Sequence, residues 1–256
     1  MTNKVVIATT TFSPTFDLRA TLALKTAENA KAYGYRLVVV DDGSAEELRT
    51  GLRLRRADLF DAAVRHQPYM CMGPGRRQAM KIAGEIAGEN GLVLWMEPEK
   101  YTLISEIEKM AKPVFSFSPF SGAADMVIPD RGPLDSYPIE QRLAEPLGNL
   151  AFERLTGLKL DMWSGPKAMN SRALQYFLSY DGEYGDRWDS VAIPVLQAIA
   201  AGLKVVGVRV NYVHPPEQTV GEETVEMLEK RIVQLHNLVP AMIAEAKKLG
   251  LYPKQR

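Results

Sequence analysis

The chain opens on VVIATTTF (residues 5–12), β-branched and apolar with no polar alternation at its start. Such a run suits a strand buried on both faces, as in a parallel sheet. Ser13-Pro14 offers a helix start, with serine as cap and proline at the first helical position. A helix over 17–33 follows, with Leu18, Leu22 and Ala30 on one face and Gly34 closing it. RLVVV (36–40) predicts a second buried strand running into Asp41-Asp42-Gly43-Ser44. Strand, helix and strand at this spacing make a βαβ unit with a right-handed crossover. A charged helix is expected over 45–56, a short third strand over 62–67, and a break at Gly73-Pro74-Gly75 before a helix over 76–89. LVLWM (92–96) is a fourth strand that stops at Glu97-Pro98-Glu99-Lys100, and a helix over 102–111 ends at Lys112-Pro113.

DMVIP (125–129) is another strand, after which the texture changes. A proline- and glycine-bearing segment from 130 is too long to be only a connector, and it leads into a helix over 139–156 that Gly157 ends. Helices are expected over 171–179 and 189–201, with Gly202 capping the second, then a long strand over 203–213. The tail (222–249) reads as amphipathic helix that Pro240 kinks or splits. Its apolar positions Val225, Leu228, Ile232, Leu235, Val239, Met242, Ala246 and Leu249 alternate three and four apart. Such a stripe either covers the parent domain or forms a coiled-coil-like homodimer seam. The pattern gives an α/β fold with a mostly parallel, Rossmann-like central sheet flanked by helices and a mixed second half. We expect one domain over 1–256, with a ligand-binding half (1–124), a second half (125–222) and a C-terminal helix (223–256).

Lys plus Arg and Asp plus Glu are both 31, so no net basic field exists to hold a nucleic-acid backbone, and no nucleic-acid partner is expected. The one cysteine, Cys71, rules out an intrachain disulfide framework and lacks a histidine–acid arrangement that would make it a nucleophile. The N-terminus does not read as a signal peptide and no apolar run reaches membrane-spanning length, so a cytoplasmic location is expected.

In an open α/β sheet, ligands sit beyond the carboxyl ends of the strands. Thr9, Thr10 and Thr11 stand at the first such end, Asp41 and Asp42 at the second, Glu97 and Glu99 at the fourth, and His214 after the last. Asp41-Asp42 is either plain turn chemistry or an acid for a ribose hydroxyl or base N–H. No G-x-G-x-x-G separates the first strand from its helix, which disfavours a dinucleotide-binding dehydrogenase. Glu97-Pro98-Glu99 either holds a hard divalent cation or is a solvated acidic loop with Lys100 as its own counterion. His214 either completes a metal site, contacts a phosphate, or is a surface histidine. Trp163 and Trp188 either stack on a sugar or belong to the core.

Taken in order, IATTTFSP, VVVDDGS, GPGRRQAMKIA and VLWMEPEK resemble family 2 glycosyltransferases of the GT-A fold. DMVIPDR, LDMWSGPKAMNSRAL and WDSVAIPVLQAIAAGLKVVGVRVNYV are similar to the polyprenol-phosphate mannosyltransferase branch. The resemblance covers roughly residues 4–222. It implies a hexose transferred from a nucleoside-diphosphate sugar to an acceptor hydroxyl or phosphate, inverting and assisted by Mg²⁺ or Mn²⁺. Thr9 would line the nucleotide pocket, Asp41 and Asp42 would bind base and ribose, and Arg76 or Arg77 would reach base or diphosphate. Glu97 and Glu99 stand where the family has its acid pair, usually aspartate, and Lys100 beside them would partly replace the metal. Asp161, with Ser164-Gly165, would lie beneath the sugar. Asp189 would be the general base, or a helix cap, with Asp186 as its rival. The acceptor is either a lipid phosphate or a soluble small molecule such as a glycerate. Alternatives are a retaining sugar-glycerate synthase and a non-catalytic nucleotide-sugar binder. A sugar-phosphate nucleotidyltransferase shares the fold but would carry a glycine-rich N-terminal loop that is missing here.

Overall fold

The computed structural model describes residues 4–63, 72–116, 122–222 and 224–251. One seven-stranded sheet runs through it in the order β3-β2-β1-β4-β6-β5-β7. The strands are β1 (Val5–Thr11), β2 (Arg36–Asp41), β3 (Asp58–Asp61), β4 (Leu92–Trp95), β5 (Met126–Asp130), β6 (Lys167–Met169) and β7 (Val205–Arg209). The pairs β1–β2, β1–β4, β2–β3 and β5–β7 are parallel, while β6 runs antiparallel between β4 and β5.

The unalternating apolar runs have the expected cause. On β1, Val5 and Ile7 enter one core while Val6 and Ala8 enter another on the opposite face. On β2, Leu37 and Val39 divide from Val38 and Val40 in the same way. Helices α1 (Leu18–Ala32), α2 (Glu46–Leu54) and α4 (Ile107–Phe115), with the 3₁₀ turn Tyr101–Glu106, cover the first face. The second face takes α3 (Gly73–Ala87), α5 (Ile139–Thr156), α6 (Ser171–Ser179), α7 (Asp189–Ala200) and α9 (Val225–Lys248). A short α8 (Pro216–Glu222) precedes α9.

Several expectations are corrected. Asp17, not Ser13, caps α1, its carboxylate accepting from Ala20 N–H at 2.9 Å, because the helix begins only at Leu18; Ser13 lies upstream, its N–H donating to Ser44 Oγ at 3.0 Å. The Gly73-Pro74-Gly75 run opens α3 rather than preceding it, since proline in the first turn needs no intrahelical N–H. Pro113 does not end its helix and Pro240 does not split α9; α4 and α9 run through both. Each proline removes one donor, and the apolar packing of the helix carries it past the gap. The last strand stops at Arg209 because its partner β5 stops at Asp130, so residues 210–213 have no parallel neighbour. The third strand is Asp58–Asp61, and residues 64–67 of the predicted segment, His66 and Cys71 lie outside the described residues.

Candidate functional site

The carboxyl ends of β1, β4 and β7 and the approach to β6 hold side chains whose polar atoms are buried yet make no hydrogen bond to a described residue. They are Thr9 Oγ1, Glu97 Oε2, Ser164 Oγ and Tyr212 OH. Four such atoms contributed by separate segments are unusual, because buried polar groups are nearly always paired in a finished interior. They mark a place built to be completed by a ligand or water.

Cations line the same place. The Arg76 guanidinium lies 5.6 Å over the Trp95 ring and donates to Arg187 O at 2.7 Å and Ser190 Oγ at 2.8 Å. Burial lowers its pKa, against the opposing pull of the carboxylates of Glu97, Asp189, Asp186 and Glu99. Lys100 Nζ sits 5.1 Å over the Tyr212 ring. Burial opposes its charge, yet Tyr212, Glu97 and Tyr137 raise its pKa above the ordinary lysine value. Tyr137 links Tyr212, at 6.2 Å between ring centroids, to His214 at 4.5 Å and to the Arg131 guanidinium at 5.1 Å. The site is therefore a band of cations and phenols set against the Glu97 and Glu99 carboxylates, where the cations can meet an anion.

Glu97 rests against Gly165, where a Cβ would overlap its carboxylate. The turn that carries Gly165 is held from below by Lys167. This lysine is wholly buried on β6, and its ammonium donates to Ser164 O at 2.7 Å and Gly165 O at 3.1 Å. Burial pushes its pKa down to about 8, with Glu97 and Asp161 acting the other way. Lys167 escapes sequence reading because a lysine in a short strand ordinarily marks an exposed edge.

Asp161 lies in a buried network. Arg131 Nε donates to Asp161 Oδ2 at 2.7 Å, Arg131 NH2 to Asp161 Oδ1 at 2.8 Å and to Glu145 Oε2 at 2.7 Å, and Asn149 Nδ2 to Asp161 Oδ1 at 3.0 Å. Burial would raise the Asp161 pKa, but Arg131 and Asn149 hold it below the usual carboxylate range. Asn149 Oδ1 also accepts from Trp163 N–H at 3.0 Å, which fixes the segment leading into the Ser164-Gly165 turn. Trp163 packs in the core against Gly148, where no Cβ would fit.

The other acids are tied to the protein in the same manner. Asp41 accepts from Thr11 Oγ1 at 2.8 Å and from the Gly43 and Ser44 amides, and it pairs with Arg49, which also reaches Asp61 at 2.6 Å. Its neighbour Asp42 is half-buried and its N–H donates to Thr11 O at 2.9 Å. Arg77 donates to both oxygens of Asp186 at 2.6 Å, and this clamp lies against Gly73, where a Cβ would overlap Asp186. Asp189 does not cap α7 through N2 or N3. Its carboxylate turns back, accepting from Tyr180 OH at 2.5 Å, Asp186 N–H at 3.0 Å and Arg187 N–H at 2.7 Å. Both oxygens are engaged, and the geometry has Asp189 holding the 180–189 loop on which Arg76 is anchored.

The His214 ring packs on Tyr137, and among the described residues no three His, Cys, Asp or Glu side chains gather to hold an ion. Glu97 retains a buried oxygen with no hydrogen-bond partner and Glu99 stands two residues on. The residues present fit a hard cation that takes one or two carboxylates and completes its shell with diphosphate and water. A separate cleft of about 570 Å³ opens between Tyr184–Asp189 and α9 and includes Asp189 but none of the residues around Glu97.

Solved structures share this overall fold. Glucosyl-3-phosphoglycerate synthase from Mycobacterium tuberculosis in complex with phosphoglyceric acid matches over 95% of this chain and 80% of that one, with a TM-score of 0.60 and 11% identity. The same enzyme with Mn²⁺, UDP-glucose and phosphoglyceric acid matches with a TM-score of 0.59 and 12% identity over 95% and 79%. Its complex with Mg²⁺ and UDP gives 0.52 and 11% over 90% and 78%. The fold is that of the GT-A glycosyltransferases. No protein-family model matches the chain, and no curated protein does. The polyprenol-phosphate mannosyltransferase branch expected from the sequence motifs is not shown by these neighbours. Among the described residues no helix is long and apolar enough to cross a membrane.

Proposed function

We propose that this protein is a glycosyltransferase that takes a nucleoside-diphosphate sugar as donor, with Mg²⁺ or Mn²⁺ held at Glu97 and Glu99. The observation that carries the reading is the set of unpartnered buried polar atoms on Thr9, Glu97, Ser164 and Tyr212, with Arg76 and Lys100 beside them, on a GT-A fold. A bound divalent ion would stabilise the charge that builds on the departing diphosphate.

The chain's own residues supply the remainder. Arg76, buried, and Lys100, half-buried, are fixed cations in a partly dry setting, where they act on a developing anion more strongly than in water. Lys167 holds the Ser164-Gly165 turn and so sets where the Glu97 carboxylate lies. Arg131, Asn149 and Asp161 fix the segment ahead of that turn. Thr9, Ser164, Tyr137 and Tyr212 offer hydroxyls for donor groups, and Asp42 with Asp41 supports the base and ribose side. Asp189 is a positioning residue that fixes the loop anchoring Arg76. The acceptor is a soluble hydroxyl compound, and phosphoglycerate, bound by the solved neighbours, is the first to test.

Incubation with radiolabelled UDP-glucose or GDP-mannose, Mn²⁺ and 3-phosphoglycerate tests the reading. Transfer or slow donor hydrolysis that disappears in Glu97→Ala supports it. Failure to bind any nucleoside-diphosphate sugar at millimolar concentration overturns it. A second reading, a binder without turnover, draws support from the full engagement of both Asp189 oxygens. It predicts donor affinity with neither transfer nor hydrolysis.

A further inference from the structure

The apolar stripe of α9 is covered along only half its length. Met242 and Ala246 are buried in the core, with Leu235, Val239 and Leu249 packed against it. The same stripe continues towards the N-terminus through Ile232, Leu228 and Val225, and there it is exposed, Val225 at 77%. Helix α5 packs alongside α9 and carries its own open stripe of Ile139, Leu143, Leu147 and Leu150, with Leu143 70% exposed. Two neighbouring helices thus expose apolar rows where a folded monomer ordinarily leaves only scattered residues.

The charges beside the two rows differ in sign. On α5 the exposed charged residues are Arg142 and Arg154, while its three glutamates are buried or half-buried. On the open part of α9 the exposed charges are Glu226 and Glu229, and Lys230 and Arg231 are half-buried. Among the described residues, none of Arg142, Arg154, Glu226 and Glu229 has an ion-pair partner within the chain. A two-fold axis that lays α5 of one copy on α9 of the other pairs basic with acidic positions twice and closes both apolar rows. An anionic lipid surface would bring Glu226 and Glu229 against like charge, so it fits this face less well.

We propose that α5 and the N-terminal half of α9 form the interface of a two-fold homodimer, α5 of each copy packing on α9 of the other. The stripe of α9 then serves both uses open to it, its C-terminal half covering its own domain and its N-terminal half covering the partner. The interface is independent of the proposed chemistry, since none of its residues belongs to the site.

Light scattering after size exclusion, at the highest soluble concentration, tests it. The wild type is expected to be a dimer, and Leu143→Glu with Ile232→Glu a monomer with unchanged circular dichroism and thermal midpoint. Two charge variants sharpen the test. Arg142→Glu/Arg154→Glu makes both faces acidic and Glu226→Arg/Glu229→Arg makes both basic. Each is expected to be monomeric alone and to form a mixed dimer when combined, because each face then meets its opposite. A monomeric wild type overturns the proposal. So does a dimer that survives Leu143→Glu/Ile232→Glu, or a monomer that floats with phosphatidylserine vesicles through this face.

Discussion

The Glu97 carboxylate lies over the Cα of Gly165, in space that any side chain at 165 would take. The overlapping atoms are the far end of a flexible side chain, so Gly165→Ala displaces the carboxylate and leaves the backbone in place. The thermal midpoint is expected to fall by no more than about 2–4 °C, the shift of about 1 kcal/mol in a chain of this size. Calorimetric affinity for a nucleoside-diphosphate sugar with Mn²⁺ is expected to drop at least about tenfold, or about 1.4 kcal/mol. Unchanged affinity would mean that Glu97 does not meet the donor or its metal.

Lys167 ties that geometry to pH. Its folded pKa, about 8, lies below its ordinary value of 10.5. Below pH 8 both folded and unfolded chains hold the proton, and the folded state bears the full cost of a buried charge. Between pH 8 and 10.5 the folded chain loses the proton first, so stability rises with pH across that window. The denaturant-derived stability of the wild type minus that of Lys167→Met is expected to increase there, by up to roughly 3 kcal/mol. A difference that stays flat from pH 7 to 11 would show that the ammonium is as well stabilised folded as unfolded.

The uneven legibility of these features has a physical basis. β1, β2 and β4 could be read directly, because burial on both faces demands unbroken apolar runs such as VVIA and LVVV. β6 could not. Three residues, Lys167-Ala168-Met169, carry no period, and their burial comes from lying between β4 and β5. The strand-end positions of Thr9, Asp41 and Glu97 follow from the βαβ pattern alone. What the sequence hides is which acids are already neutralised. Arg131 with Glu145 and Asp161, or Arg77 with Asp186, pair residues 14, 30 and 109 positions apart, and no local spacing announces them. The clash that forces glycine at 73, 148 and 165 is likewise set by side chains distant in sequence.

The Arg131 network should be the most sensitive structural element near the site. Arg131 and Glu145 are each only 4% exposed, and Asp161 is 10% exposed. Removing the guanidinium leaves two buried carboxylates without their counterion, so Arg131→Met is expected to cost about 3–5 kcal/mol in urea unfolding. The triple change Arg131→Met/Glu145→Gln/Asp161→Asn should recover much of that loss, because it removes the stranded charges as well. Asp161 also sets an acid limit. Its folded pKa is depressed, so its contribution is complete above the ordinary carboxylate value and is lost as pH falls through the folded one. A triple variant no more stable than Arg131→Met would mean that packing, not charge, is what the arginine supplies.

Asp189 distinguishes a base from a support. Burial and the bond to Asp189 raise the Tyr180 pKa, so the phenol keeps its proton and remains a donor throughout the neutral range. The carboxylate accepts three hydrogen bonds that close the 180–189 loop, and Asp189→Asn retains one oxygen for them while Asp189→Ala retains none. Transfer or donor hydrolysis by Asp189→Asn is therefore expected within about tenfold of wild type and with its pH profile unchanged. Asp189→Ala should lose more, together with stability. A loss of about 10³-fold in Asp189→Asn, with a flattened pH–rate profile, would instead make this carboxylate the general base.

On the proposed reading Lys100 and the metal act on the same diphosphate, and removing each separates their shares. A divalent ion held at Glu97 would neutralise diphosphate charge, and Lys100, held over the Tyr212 ring, would add its own. Chelation with EDTA is expected to weaken UDP or GDP binding by at least about tenfold, the scale of one lost charge-assisted contact in a partly dry site. The residual affinity should vanish in Lys100→Met, whereas Mn²⁺ should restore part of it, because the ion still reaches Glu97. The order of the losses carries the argument. If EDTA changes nothing while Lys100→Met abolishes binding, the protein's own cations hold the diphosphate and the glutamate pair holds no metal. If Lys100→Met binds as well as wild type in EDTA, Lys100 is only the counterion of its own loop, and the diphosphate lies elsewhere.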